Sequence, residues 1–356
     1  MRIFIDIGHP AHVHYFRNFI KIMELKGHNF LIIARDKEVT LNLLRSYNIN
    51  YVSRGKGSKG LIGKFFYMIK ADYVIYKLAR KFNPNVFLSF ASPYAAQVSR
   101  FFRKPHISFN DTEHAKLGHL LYFPFTDVVL TPKAFFKNLG EKHIKFNGFM
   151  ELCYLHPKYF IPNEMILSDL GIARDETFSL LRFVSWEASH DFGKLRISID
   201  FKIKLVNELL KFGKVLISAE GDLPPELEEY RIRISPEKMH DLLSFATLYV
   251  GEGATTASEC AVIGAPTIYV NVLDVGYIQE QKSLGLLFSF RDSSGVLEKA
   301  IELMNTPNIK SIQQQHNIKM LANKIDVTAF MVWFIENYPN SFKIMKANPE
   351  YQDNFR

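Results

Sequence analysis

Gly251-Glu252-Gly253-Ala254-Thr255-Thr256-Ala257-Ser258-Glu259, continuing into Cys260-Ala261-Val262-Ile263-Gly264-Ala265-Pro266, lies between two short apolar runs, Leu248-Tyr249-Val250 and Thr267-Ile268-Tyr269-Val270. That order reads as strand, small-residue turn, helix, strand. A turn of small residues that opens a helix on a parallel sheet presents backbone N–H groups with no partner inside the helix, and such groups hold phosphate. Glu259 stands one helical turn beyond Thr255, on the same face. A diphosphate on the amides and ribose hydroxyls on the acid fit that arrangement, so the stretch points to a nucleotide-sugar site.

Outward from this unit the pattern repeats. Strands are expected at Ile3–Ile7, Phe30–Ile33, Asn50–Val52, Val86–Ser89, His106–Phe109, Val128–Thr131 and Ile144–Asn147. Helices are expected at Tyr15–Lys26, Glu38–Tyr47 and Leu61–Phe82 among them. Prolines and scattered aromatics from Phe149 to Pro162 read as a linker. A second series follows: strand Phe178–Phe183, helix Ile197–Lys211, strands Lys214–Ser218 and Arg231–Ile234, helix Lys238–Ala246, the glycine-turn unit and a set of C-terminal helices. Strand–helix alternation argues for parallel sheets covered on both faces. The expected architecture is α/β, two doubly wound Rossmann-like domains facing a cleft: residues 1–155, residues 163–325, and a C-terminal segment 326–356 returning to the first domain.

The 356 residues exceed what one core usually serves, which agrees with two domains. Cys153 and Cys260 are the only cysteines, far apart, so a disulfide framework is not indicated and a reducing compartment is expected. The N-terminus enters a strand at once, without a signal-peptide pattern, and no apolar run is long enough to span a bilayer. A cytoplasmic protein, working at the inner face of the membrane, is the expectation. The net charge of +8 favours anionic partners: an anionic substrate, or a peripheral contact with an anionic membrane. No nucleic-acid-binding motif is visible, and nucleic acid is not expected as a partner.

Five further segments carry chemistry-bearing residues. Gly8-His9-Pro10-Ala11-His12-Val13-His14 follows the first strand; His suits proton transfer near neutral pH, although one histidine capping the helix and another packing beneath the loop is the competing reading. Asn110-Asp111-Thr112-Glu113-His114 crowds a strand end, where Asp111 and Glu113 read as a cleft-facing acid pair or as helix caps. Arg182 and the loop from Ser185 mirror the histidine loop in the second half, and Gln279 and Gln281 follow a later strand end. The run from Arg54 to Tyr67 is basic and then aromatic, matches no P-loop spacing, and reads as a lipid-headgroup loop or a solvated charge run. His12 and His14 lack an acidic or cysteine partner nearby in sequence, so no metal is expected.

Together these residues resemble the GT-B glycosyltransferase superfamily, with the transferase that makes lipid II and the UDP-N-acetylglucosamine 2-epimerases as comparisons. The start Asp6-Ile7-Gly8-His9-Pro10-Ala11-His12-Val13-His14 and the block Tyr249-Val250-Gly251-Glu252-Gly253-Ala254 look most like the family called domain of unknown function 354. The resemblance implies that Gly253, Ala254, Thr255 and Thr256 hold the donor diphosphate and that Glu259 binds ribose. It implies that Ser235 and Pro236 present backbone to the base, hence uracil, and that Gln279 and Gln281 face the sugar. His12 matches the loop histidine of the lipid II enzyme, with Pro10-Ala11 replacing the usual glycines.

The resulting expectation is a metal-independent GT-B enzyme that transfers a UDP-activated sugar to a glycan or lipid-linked acceptor, in cell-surface polysaccharide synthesis. It needs no cofactor; the UDP-sugar is substrate. His12 is expected as base or leaving-group positioner, with Asp111 or Glu113 as alternative bases and His9 and His14 on the acceptor side. Arg182, Ser185 and the glycine turn are expected on the donor side. An epimerase or hydrolase acting on a UDP-N-acetylhexosamine is the second expectation. A non-catalytic nucleotide-sugar-binding protein is the third.

Overall fold

The computed structural model describes residues 1–58, 60–183, 197–219, 221–273 and 275–356. The chain forms two units: Met1–Tyr159 with Lys324–Arg356, and Phe160–Asn323.

Unit 1 is built on β1 (Arg2–Ile7), β2 (Asn29–Ala34), β3 (Val52–Ser53), β4 (Val86–Phe90), β5 (His106–Phe109), β6 (Val128–Pro132) and β7 (His143–Phe146). They form one sheet in the order β3-β2-β1-β4-β5-β6-β7, and every pairing is parallel. A strand covered on both faces reads as a continuous apolar run, and β1 buries Ile3, Phe4, Ile5 and Ile7 accordingly. Asp6 interrupts that run and is itself fully buried, a cost that demands a partner.

The first helix spans Pro10–Leu25, longer at its start than the spacing from Tyr15 predicts. Proline at the first helical position has a preset φ and no N–H to leave unpaired, so the turn after β1 shrinks to Gly8 and His9. His12 and His14 are therefore helical residues, and two steps of about 100° send them to opposite faces. The helix ends at Leu25, Lys26 is its C-cap, and Gly27 takes φ +83 just beyond it.

Unit 2 is built on β8 (Phe178–Phe183), β9 (Lys214–Ala219), β10 (Leu248–Gly251), β11 (Thr267–Val270) and β12 (Phe288–Phe290). The sheet order is β12-β11-β10-β8-β9, again parallel throughout. Leu181, Phe183, Leu205, Val250, Ile268 and Leu297 belong to its core.

Two expectations change, and one strand is added. Arg231–Ile234 is not a strand: the chain makes one bridge between Arg231 and Ile217 and then leaves, because Arg231 turns back to Glu228 at 2.7 Å and to the Gly221 carbonyl at 3.0 Å. Phe149–Leu155 is core, not linker: Phe149, Leu152, Cys153 and Tyr154 have no exposed surface, and the Cys153 carbonyl accepts from Asn18 and Thr328 at 2.8 Å each. The short Phe288–Phe290 strand was not anticipated. In the returning segment, helix Val327–Glu336 is capped by Asp326, whose Oδ1 accepts from Ala329 N at 2.8 Å. Its Phe330, Met331, Phe334 and Ile335 are fully buried, each worth about 1.5–3 kcal/mol against exposure.

In doubly wound sheets ligands bind beyond the carboxyl ends of the strands, at the point where the strand order reverses. In unit 1 that point lies at β1 and β4, and in unit 2 at β8 and β10.

Candidate functional site

In unit 2 the reversal point is occupied by the glycine turn. Gly251 ends β10 and is in register with Arg182 on β8. Gly253 precedes helix Ala254–Ile263 with extended backbone, no side chain among the described residues caps the helix, and its first turn holds no acid. The first amides are thus left for an outside acceptor. The two glycines differ in what they permit. A Cβ on Gly253 would meet nothing within 4 Å, whereas one on Gly251 would meet the Tyr249 hydroxyl at 2.2 Å. Gly253 borders open space; Gly251 makes room for a buried tyrosine. Thr255 lies at the mouth, half-buried. Thr256 is buried.

Beneath the turn is a buried ion pair, Lys202 Nζ to Glu252 Oε2 at 3.2 Å. The Lys202 ammonium also sits 4.5 Å from the Phe183 ring. The Asn271 side chain donates to the Glu252 carbonyl at 2.8 Å, tying the turn to the end of β11. One turn into the helix, Glu259 is buried with Oε1 3.0 Å from His240 Nε2. His240 is on helix Met239–Phe245, directly after the Ser235-Pro236 segment, and packs edge-on against Phe160. This neighbour holds the carboxylate in one orientation.

The remaining unit 2 residues divide. Arg182 donates to Ser218 Oγ on β9 at 2.8 Å. Ser235 is exposed and Pro236 half-buried. A cavity of ≈ 680 Å³ opens at the end of β9, lined by Ala219, Asp222, Leu223, Arg231 and Arg233. It lies two strands from Gly251, roughly 10 Å. Gln279 is half-buried on helix Gly276–Ser283. Gln281 is fully buried and donates to Ser258 Oγ at 2.7 Å, so it joins two helices and does not face a sugar. Ser185 lies outside the described residues.

In unit 1 the reversal point carries the histidine turn. His9 caps its helix, with Nδ1 accepting from Ala11 N at 3.2 Å. The His12 ring packs on Phe90, the last residue of β4, at 4.8 Å. His12 Nδ1 accepts from Gly8 N at 3.2 Å, and this bond assigns the ring proton to Nε2. Burial first, then His9, Lys37 and Arg54, hold the His12 pKa well below its ordinary value. His12 is therefore neutral with its free nitrogen already protonated. It can donate to an anion or a hydroxyl, but it has no lone pair to offer as a base. That geometry favours a donor role over the expected base role, because the basic nitrogen is engaged by the backbone. His14 is buried between Tyr154, 5.1 Å away and stacked, and Tyr47, edge-on at 5.7 Å. It is a core residue with no acceptor surface.

Below His12 lies a polar cluster that the sequence did not announce. Asp6 accepts from Arg54 Nε at 3.0 Å and from the Ser92 hydroxyl. Arg54 also donates to the Tyr67 hydroxyl, and its guanidinium covers the Tyr94 ring at 4.4 Å. Asp72, on helix Leu61–Phe82, has a pKa raised to about 7, by burial first and then by Asp6. The signal available was an acid inside an apolar strand; its partner, far along the chain, was not readable.

The acid pair at the end of β5 separates into two roles. Asp111 is buried, holds the Thr112 hydroxyl at 2.9 Å, and has a pKa raised to about 7, by burial foremost. A carboxyl that titrates near neutral pH suits proton transfer. Glu113 instead accepts from Phe136 N at 3.3 Å, and its carbonyl accepts from Lys137 at 2.6 Å, which ties it to the loop after β6. Neither caps the next helix, Lys116–Tyr122, which starts at Ala115 without a side-chain cap. β1 and β5 flank β4, so the ends that carry His12 and Asp111 stand roughly 10 Å apart.

Residues 1–338 match the family described as protein of unknown function (DUF354). The chain belongs to the DUF354 family. A relative in Methanocaldococcus jannaschii, an uncharacterized protein (MJ0665), is 26% identical over 280 residues, covering 75% of this chain and 80% of its own. Among solved structures, the UDP-GlcNAc 2-epimerase from Neisseria meningitidis bound to UDP-GlcNAc superimposes with a TM-score of 0.63 at 10% identity, covering 94% of this chain and 99% of that one. The Streptomyces sp. SF2575 glycosyltransferase SsfS6 gives 0.59 at 13%, covering 95% and 100%. This DUF354 protein therefore has the GT-B fold, two Rossmann-like units, which sugar-nucleotide epimerases and glycosyltransferases share.

Proposed function

We propose that this protein is a GT-B enzyme acting on a nucleotide-activated sugar, held in unit 2. The observation that carries the reading is the uncapped helix mouth at Gly253, with Glu259 held one turn deeper by His240. The amides of Ala254 and Thr255 take the diphosphate, Glu259 takes the ribose, and the base lies toward Ser235 and the cavity at the end of β9. UDP is the nucleotide proposed, in keeping with the neighbour bound to UDP-GlcNAc. In unit 1, Asp111 is the proposed base and His12 the donor that steadies charge through Nε2. Transfer to a glycan or lipid-linked acceptor, without a resident cofactor, is the first reading, and cell-surface polysaccharide synthesis its setting. Preorganised donors lower the barrier where charge develops on the departing diphosphate.

The test is calorimetry with UDP and UDP-N-acetylglucosamine on the parent protein and on Gly253→Asp and Glu259→Gln. Binding by the parent and its loss in both variants, with melting unchanged, is the expected result. Full binding by either variant discards the site.

Asp111 favours a second reading, epimerisation or hydrolysis of the same donor, because a carboxyl near pH 7 can exchange a proton with a sugar carbon. Deuterium entering the sugar in heavy water, with no acceptor present, selects this reading over transfer.

A further inference from the structure

Helix Leu61–Phe82 has two apolar faces, and the fold uses only one. Tyr67, Ala71, Ile75 and Ala79 face inward and are buried. On the opposite side, Ile62, Phe65, Phe66, Ile69, Tyr73 and Tyr76 recur at helical spacing. They stay open to solvent, with Ile62 76%, Phe66 66% and Tyr73 65% exposed. One such residue needs no explanation; a continuous stripe of six does. The patch extends sideways, because Gln97 contacts both Met68 on this helix and the Leu121 carbonyl at 3.2 Å on helix Lys116–Tyr122. There Leu117 and Leu120 are 60% and 68% exposed.

Charge identifies the occupant. The helix carries Lys64, Lys70, Lys77, Arg80 and Lys81 against a single acid, Asp72. Asp72 is turned toward Asp6 and Arg54 and leaves the outer face without negative charge. At about 100° per residue, Lys70, Lys77 and Lys81 follow one edge of the apolar stripe. Long basic side chains beside an aromatic stripe match an interface with lipid tails below and anionic headgroups above. A protein partner fits less well, because Lys is depleted at protein–protein interfaces.

We infer that the outer face of helix Leu61–Phe82 docks unit 1 onto an anionic lipid bilayer, with Phe65, Phe66 and Ile69 entering the headgroup–acyl boundary. This is surface binding: among the described residues no helix is long and apolar enough to cross a membrane. The inference does not depend on the nucleotide-sugar reading, and its test reads lipid binding, not turnover.

The experiment is co-sedimentation of the full chain with phosphatidylcholine vesicles, with and without phosphatidylglycerol, at low and high salt. Three variants accompany it: the double variant Phe65→Ser/Phe66→Ser, the triple variant Lys70→Gln/Lys77→Gln/Lys81→Gln, and Ile161→Ser, an 85% exposed residue of unit 2, as control. All are checked for unchanged circular dichroism and melting. The parent and the control are expected to pellet with anionic vesicles and to weaken in high salt. The phenylalanine variant is expected to bind at least about ten-fold more weakly, and each lysine removed to cost about five-fold on anionic vesicles only. A parent that stays in the supernatant overturns the inference, as does a phenylalanine variant that binds as well as the parent. Lipid-free dimerisation abolished by the same variant, without vesicle binding, assigns the face to a second copy and overturns it too.

Discussion

The two turns at the strand-order reversals are built alike at the base and unlike at the top. Each rests on a buried ion pair, Asp6 with Arg54 in unit 1 and Glu252 with Lys202 in unit 2, and in each the cation also lies on an aromatic ring. Above the pair, the unit 1 turn is filled. His9 caps the helix, Pro10 opens it, and Gly8 spends its amide on His12. The unit 2 turn is left open, with no capping side chain and free space at Gly253. A filled turn can act only through its side chains, here through His12 Nε2. An open turn acts through backbone, which binds anions without titrating. The difference supports the proposal that unit 2 binds the polyanion and unit 1 supplies proton or hydrogen-bond chemistry.

That comparison breaks first at its shared base. Arg54→Met leaves Asp6 buried without its cation and should cost about 3–5 kcal/mol, read as a lowered melting midpoint; Lys202→Met should do likewise for Glu252. Unchanged melting in both would mean that the pairs are not structural supports. Next comes Asp111→Asn, expected to lower kcat about 10²–10⁴-fold if Asp111 moves the proton, against a much smaller loss for Glu113→Gln. The reverse order of losses would exchange their roles.

The same Asp111 variant has a stability signature of known sign. Folding raises this carboxyl to about 7, whereas the unfolded chain releases the proton near pH 4. The stability it contributes is therefore full below about pH 4 and lost as the pH rises through about 7. Asp111→Asn should melt higher than the parent at pH 8, with the gain gone at pH 4. A gain that persists in acid would show that burial is not what shifts the group.

The smallest effects sharpen the contrast between the turns. Gly251→Ala should destabilise by about 1–3 kcal/mol by crowding Tyr249, while Gly253→Ala should leave melting within about 0.5 kcal/mol and still weaken UDP. His9→Ala should cost about 1 kcal/mol as a lost cap without touching UDP affinity. If His9→Ala and Gly253→Ala change UDP affinity equally, the filled and open turns are not functionally distinct.

Much of this was readable along the chain, because parallel strands and their helices announce themselves by local periodicity and by the glycines and prolines that stop them. Strands His106–Phe109 and Phe178–Phe183 and helix Leu61–Phe82 have the limits that the residue pattern predicts. The helix start at Pro10 is also written locally, in the proline itself, although the apolar spacing begins only further on. Gln281 was misplaced for another reason: a buried amide and a ligand-facing amide look the same until a partner such as Ser258 appears.

The amino-acid order alone determined that this chain forms two parallel α/β units and where their turns fall, since turn chemistry and side-chain period act over a few residues. Tertiary structure alone decided which nitrogen of His12 is free, which acid is raised toward neutrality, and what holds Asp6 and Glu259. Those properties depend on burial and on contacts such as Asp6–Arg54 and His240–Glu259, made by groups that only folding brings within hydrogen-bonding reach.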